Sequence, residues 1–309
     1  MPTFFVYEYC CAIGAGGSLG REGRAMRDAV ADDFRRLAAD VLTLDAAGDA
    51  EAEQFRAMAA RCDNTLVIVP ESDGLLAARV GWAGGRAINS TTAAIRLTAD
   101  KLATFDLWRA AGVPTPHSYP AHRFMPADLP LVFKPRDGAG SEGVRLVERW
   151  EDFRDSARGQ VGRLMCQQFV PGRAASVAFL IGPSQSVPLL PTFQHLSDDG
   201  RFSYLGGELP IPPALAARAV ALGRRAIDCV PGLRGYVGVD LVLGEAADGS
   251  QDFAIEINPR LTTSYVGLRA LANTNLAGAM LDVCAGRPVE VRWMPERVSF
   301  TPDGAVTPD

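Results

Sequence analysis

Of the 31 basic residues in this 309-residue chain only two are lysines, Lys101 and Lys134. In a chain that uses arginine for nearly every surface charge, a retained lysine marks a place for a compact, rotatable ammonium. Lys134 closes the strand-like run LPLVFKP and is followed by Arg136, Asp137, Gly138, Ala139, Gly140, Ser141, Glu142 and Gly143. Small residues let backbone amides approach phosphate oxygens, which the ammonium neutralises; the competing reading is an ordinary β-turn. The string lacks the GKS/T ending of a P-loop. A second group is acidic. Asp240 projects from the apolar run GVDLVL, and Glu256 and Asn258 stand two apart in AIEIN, hence on one strand face. If the two runs pair as a hairpin across the polar turn EAADGSQ, these three side chains converge. Three hard oxygen donors without a histidine suit Mg2+, or Mn2+, shared with nucleotide phosphates. Such carboxylates are costly to bury without a cation; the competing reading is a solvated hairpin face. Arg260, two residues beyond Asn258, is placed to clamp a phosphate or carboxylate.

Other chemistries find little support. There are three histidines; His117 and His122 sit in an irregular connection, and His195, between a proline-rich strand and an acidic turn, is the one candidate for touching a substrate. Neither a GxSxG elbow nor an HExxH zinc motif occurs. The six cysteines show no CxxC spacing and read as reduced, buried thiols, including the adjacent Cys10 and Cys11. With 36 acidic and 31 basic residues the formal charge is −5, which disfavours a nucleic-acid sheath. No apolar run approaches the roughly 20 residues needed to cross a bilayer. The chain enters the strand-like run Phe4–Tyr7 with no basic start or cleavable apolar segment, so a cytoplasmic protein without membrane partners is expected.

The elements that must carry these residues read as α/β. Residues 1–97 alternate strand and helix, which implies a largely parallel sheet; a helix is expected over 21–39. The GAGGSLG string lacks the GxGxxG spacing of a dinucleotide fingerprint and reads as a flexible or substrate-facing loop. Residues 98–172 form a small central unit. A helix there carries Lys101, capped by Thr98 or Asp100, and LPLVFKP, VRLVE and RLMCQQFV are strands, with a helix at 151–158. Residues 173–298 hold the strands AASVAFLIG, GYVGVDLVLG and DFAIEINPR and helices at 213–229 and 272–284. Residues 299–309 have few apolar anchors and read as a flexible tail.

Taken in order, Asp100-Lys101, FKPRDGAGSEG, CQQFVPG, GVD and EINPR resemble the ATP-grasp superfamily over about residues 98–290. That resemblance implies an ATP-grasp fold: an N-terminal parallel-sheet domain, a small central lid subdomain and a C-terminal α+β subdomain. It implies Lys101 and Lys134 as phosphate ligands, with Lys134 and Arg260 catalytic. It makes the loop Asp137, Gly138, Ala139, Gly140, Ser141 and Gly143 a mobile phosphate lid, and Gln167, Gln168, Phe169 and Val170 the adenine hinge. Gln167 stands where an acidic residue is common. Asp240, Glu256 and Asn258 match positions that hold one or two Mg2+ ions. The implied activity joins a carboxylate to an amine through an acyl phosphate, with release of ADP and phosphate, and the family's habits allow a homodimer. Within the superfamily, the REGRAMRDAVADDF, PTFQHL, YLGGELP and NPRLTTSY strings are similar to the tyramine–glutamate ligases of methanofuran biosynthesis. That similarity implies L-glutamate and tyramine or tyrosine as substrates, with Glu8, Gln194, His195, Tyr204 and Arg260 near them. Another amino acid or dipeptide pair, a non-catalytic ATP-binding protein, and phosphoryl transfer to a small carboxylate are the alternatives.

Overall fold

A computed structural model describes residues 1–123, 125, 128–138, 140–149, 151–152 and 163–308. Its first sheet follows from a run of aromatic and β-branched residues that must be covered on both faces. Strand β1 (Thr3–Glu8) is flanked in parallel by β2 (Asp40–Thr43) and β3 (Asn64–Ile68). Parallel neighbours need crossover helices, and these are Gly17–Arg35 and Glu51–Arg61. Phe34 of the first stacks on Phe4 at 4.3 Å, and Phe55 of the second packs edge-on against Phe5 and Tyr7. The helix expected over 21–39 thus starts earlier, at Gly17. The end of GAGGSLG is its first turn, because Gly17 at φ +74° lets the chain bend into it.

A second, small sheet is wholly antiparallel: β4 (Ser118–Pro120), β5 (Leu131–Pro135), β6 (Arg145–Val147) and β7 (Leu164–Gln168), in the order β4-β7-β5-β6. It encloses its own core of Leu131, Phe133, Val147, Leu164 and Cys166. The helix expected at 151–158 falls, beyond its first two residues, outside the described residues. Helix Lys101–Ala110 leads into this sheet, and Trp108 anchors it by donating from Nε1 to the Ala226 carbonyl at 3.0 Å.

The third sheet runs from β8 (Arg173–Ile181) to the end of the chain. It includes β9 (Ser186–Pro188), β10 (Thr192–Leu196), β11 (Tyr204–Leu209), β12 (Gly235–Leu243), β13 (Phe253–Asn258), β14 (Val298–Phe300) and β15 (Val306–Pro308). The order is β13-β12-β8-β10-β11-β14-β15, with β9 beside β8. Helix Pro213–Asp228 covers one face, where a Cβ on Gly223 would meet Val177 at 2.5 Å. Helices Ser264–Leu271 and Leu276–Cys284 share a core with Gly17–Arg35 and β1, so the first and third sheets are joined by apolar packing. Asp33 sits in that seam, accepting from Tyr265 Oη at 2.7 Å and Arg269 Nη2 at 2.7 Å.

The chain beyond 299 differs from the loose tail its composition predicts. β14 adds to β11 and turns back as β15, with Phe300 buried in the shared core. Its partner strand lies some ninety residues earlier in sequence, so local composition could not reveal it. No helix among the described residues is long and apolar enough to cross a membrane.

Candidate active site

The second and third sheets meet at a cleft of about 560 Å3, whose lining also includes Glu22 of helix Gly17–Arg35. Its acidic wall follows from strand register. β12 and β13 pair antiparallel with Asp240 opposite Glu256 and Gly238 opposite Asn258, so all three oxygen-bearing side chains rise on one face. Asn258 Nδ2 donates to Asp240 Oδ2 at 2.9 Å, and Gln194 Nε2 donates to Oδ1 at 3.0 Å. Even so, burial and the like charge of Glu256 push the Asp240 carboxyl up to about 7. Burial works against Glu256 too, but the ammonium groups of Lys101 and Lys134 hold it below the ordinary glutamate range. No group of three or more histidine, cysteine, aspartate or glutamate side chains among the described residues is placed to hold a metal ion by itself. The donor set is two carboxylates and one amide, all hard oxygens, with carboxylate repulsion for a cation to relieve. Those residues fit Mg2+ whose remaining ligands come from phosphate and water.

The basic side is built by β5 and the helix that follows Asp100. Lys134, only 5% exposed, points in from β5 and donates to Gln167 Oε1 on β7 at 2.8 Å; Gln167 Nε2 in turn donates to Ser118 Oγ at 3.1 Å. The neutral glutamine orients the ammonium without cancelling its charge. Burial pushes Lys134 down to about 8, against the pull of Glu256 and with the help of Lys101. Lys101 opens a helix capped by the Asp100 side chain, which accepts from Leu102 and Ala103 amides at 3.1 and 3.3 Å. A cation in the first turn opposes the helix dipole; its partners are the Gly138 carbonyl at 2.8 Å and Glu256 at 3.5 Å.

The described residues of the glycine-rich loop line the same cleft as the two lysines, and Lys101 reaches the Gly138 carbonyl. Gly138 and Gly140 take φ of +129° and +72°, values closed to most side chains. Asp137, Gly138, Gly140 and Ser141 line the cleft, whereas Gly143 turns aside against Pro135. Ala139 lies outside the described residues. Gln167, Gln168, Phe169 and Val170 line the far end, where Phe169 and Phe202 lie near-parallel at 6.4 Å.

Two residues expected near substrate are elsewhere. Both Glu8 oxygens are used at the start of the next helix, accepting from Cys10 N at 3.0 Å and Cys11 N at 2.7 Å, and the side chain is buried against Gly23. His195 alternates to the opposite face of β10 from Gln194; it is half exposed and 3.9 Å from Glu208. Gln194 and Tyr204 do line the cleft. Arg260 reaches it from the turn after β13, its Nε donating to Glu71 Oε1 at 2.9 Å. Glu71, in the loop after β3, escaped the sequence reading: nothing local separates the VPESDG string from a surface turn. It is 3% exposed, its Oε2 has no hydrogen-bond partner, and burial raises its carboxyl above the ordinary range. Glu22, which lines the cleft itself, is likewise indistinct in the sequence.

The fold thus sets two ammonium groups, a glycine-rich loop and a facing acidic pair around one cleft. The ATP-grasp domain model matches residues 98–264, and the pre ATP-grasp 3 domain model matches residues 25–95. The chain belongs to the ATP-grasp family. It is 28% identical over 244 residues to the tyramine–L-glutamate ligase of Methanocaldococcus jannaschii, covering 78% of this chain and 68% of that one. With the Methanocaldococcus fervens ligase of the same name it shares 28% over 212 residues, 68% of this chain and 62% of the relative. The match thus spans less than two thirds of the length of the M. fervens enzyme. A crystal structure from Archaeoglobus fulgidus, assigned to the ATP-grasp superfamily, superposes with TM-score 0.75 at 25% identity over 97% of this chain and 92% of that one. An L-amino acid ligase from Bacillus licheniformis shares the fold, with TM-score 0.72 at 14% identity over 97% of this chain and 79% of that one.

Proposed function

We propose that the protein is an ATP-dependent carboxylate–amine ligase that forms an amide through an acyl phosphate and releases ADP. The observation that carries this reading is the convergence of Lys101 and Lys134 with Asp240, Glu256 and Asn258 on one cleft that the glycine-rich loop also lines. In this reading the ammonium groups neutralise the transferring phosphates, and Lys134, held by Gln167, meets the most charged oxygens. Asp240, Glu256 and Asn258 hold Mg2+, which screens the phosphate charge when bound. Arg260, braced by Glu71, clamps the carboxylate and the phosphoryl group it receives. The loop from Asp137 to Gly143 closes over the intermediate and keeps water out. Phe169 and Phe202 flank the base.

For the substrates we propose L-glutamate as the acid and tyramine or tyrosine as the amine, in assembly of a methanofuran-type cofactor. The named relatives and the NPRLTTSY and REGRAMRDAVADDF strings support that pairing. The test is ADP release with Mg2+-ATP and L-glutamate, with and without each amine, and products weighed by mass spectrometry. A product at the summed mass less one water establishes the amide ligase and its amine. ADP release that ignores every amine, with a stable phosphorylated acid, would replace it with phosphoryl transfer.

A further inference from the structure

A third side chain stands behind Lys134 and its glutamine. In the central sheet Ser118 of β4 lies directly across from Gln167 of β7, and Gln167 reaches diagonally to Lys134, whose own opposite number on β7 is Met165. Strand neighbours so placed share one face, and a diagonal pair is within reach of long side chains. Ser118 is 3% exposed and the other two 5%. Buried this deeply, each polar group must find its partner within the chain.

The donors and acceptors leave one direction for these contacts. An ammonium only donates, so Gln167 turns Oε1 to Lys134 Nζ at 2.8 Å. Its Nε2 then faces Ser118 Oγ at 3.1 Å and needs an acceptor there. The hydroxyl accepts, and donates its own proton to the Pro116 carbonyl at 2.9 Å. That end is fixed. Pro114 and Pro116 stiffen the connection, and the Pro114 carbonyl accepts at 2.9 Å from the amide of Ala254, two residues before Glu256 on β13. The relay therefore ties the ammonium to the strand that carries the acidic wall.

We infer that Ser118 is a positioning residue for Lys134. It lies outside the cleft lining and touches no ligand there; it holds the glutamine amide the right way round. A carboxylate at position 167 would present an acceptor whichever way it turned, at the expense of cancelling the lysine's charge. An amide leaves that charge available but has a donor end, which in the wrong rotamer faces the ammonium. The neutral holder thus needs a group that fixes its orientation, and Ser118 is that group. That Lys134 offers its charge to phosphate rests on the ligase reading; the relay does not.

The test is a double-mutant cycle on the affinity for Mg2+ with a non-hydrolysable ATP analogue, measured by calorimetry on the wild type, Ser118→Ala, Lys134→Met and the double variant. Ser118→Ala should weaken binding about three- to tenfold, the scale of one hydrogen bond. With Lys134 already replaced, the same change should alter affinity by less than about twofold. Ser118→Thr keeps the hydroxyl and should bind within about twofold of the wild type. Ser118→Cys, close in size but a weak acceptor, should behave as Ser118→Ala and takes its place if the alanine variant does not fold. Unchanged affinity in Ser118→Ala beside a loss in Lys134→Met, an equal loss with and without Lys134, or a threonine variant as weak as the alanine one each overturns the inference. A second readout needs no nucleotide. With carbon-13 at lysine Cε the two lysines give two side-chain signals, and Ser118→Ala should move the one that Lys134→Met deletes and leave the other in place. A Lys134 signal that stays put overturns the inference whatever the nucleotide does. If that signal moves while Lys134→Met binds the analogue undiminished, the phosphate role of Lys134 falls and the relay stands.

Discussion

Replacing Lys134 with methionine should separate what the site costs the fold from what it gives the ligand. The side chain is almost fully buried, and burial lowers its pKa from 10.5 to about 8. At about 1.4 kcal/mol per tenfold change in proton affinity, charging it in the folded state costs about 3 kcal/mol relative to the unfolded chain. The folded protein releases this proton near pH 8 and the unfolded chain near 10.5. Between those values the unfolded chain binds more protons, so wild-type stability climbs with pH; below pH 8 the whole cost is present. Methionine removes the cost but strands Gln167 Oε1, a loss of about 1–3 kcal/mol. At pH 7 Lys134→Met should therefore be as stable as the wild type or up to about 2 kcal/mol more so. By pH 10 it should be the less stable of the two, and the curves should cross between. Its nucleotide affinity should fall about 10- to 150-fold for one or two lost charge-assisted bonds. Thermal melts of both proteins from pH 7 to 10, with nucleotide titrations at pH 7, read all of this. A variant that melts well below wild type at pH 7 by a margin that pH does not change would refute the reasoning, as would undiminished nucleotide binding.

Further outcomes follow from the same geometry. Because the Asp240 carboxyl sits near 7 without a cation, Mg2+ must displace a proton, and its affinity should rise about tenfold from pH 6 to pH 8 and then level off. Calorimetry in buffers of different ionisation enthalpy counts that proton, and a flat profile would remove Asp240 from the metal set. Glu71→Gln keeps a hydrogen bond to Arg260 but loses the opposing charge; kcat should fall about tenfold with the KM for ATP little changed, since Glu71 acts through Arg260 rather than on the nucleotide. A rise in the KM for ATP alone would place Glu71 in a different role. Asp33→Asn leaves Tyr265 an acceptor but weakens the Arg269 pair, and should cost about 2–4 kcal/mol in urea unfolding. A loss below about 0.5 kcal/mol would mean that apolar packing alone holds the seam.

What the sequence discloses about the site is what period and residue type encode locally. The two-residue spacing of Glu256 and Asn258 and the polar turn before them were enough to foresee the β12–β13 hairpin, and the register adds only the pairing of Asp240 with Glu256. The two lysines were legible because the rest of the chain spends arginine so freely. The same strand period misplaced His195: Gln194 and His195 cannot share a face, and only the β8 and β11 neighbours decide which of them turns inward. Glu8 has the right type and a strand end, but its carboxylate is consumed two and three residues downstream as a helix cap. Glu71 and Glu22 were invisible for the opposite reason. Each sits in an unremarkable local string and is tied to the site by Arg260 or Thr263, about 190 and 240 residues away.

Both lysine side chains of the chain end inside one cleft, 11% and 5% exposed. An acylating reagent that modifies primary amines therefore has, besides the chain's α-amino group, no other side-chain target. The extent of labelling becomes a direct gauge of how open the cleft is, readable on the intact protein from its mass alone. Nucleotide that occupies the site should suppress both additions together. Lys134, whose ammonium burial pushes down to about 8, should label readily once the glycine loop lifts, so its addition would time that movement.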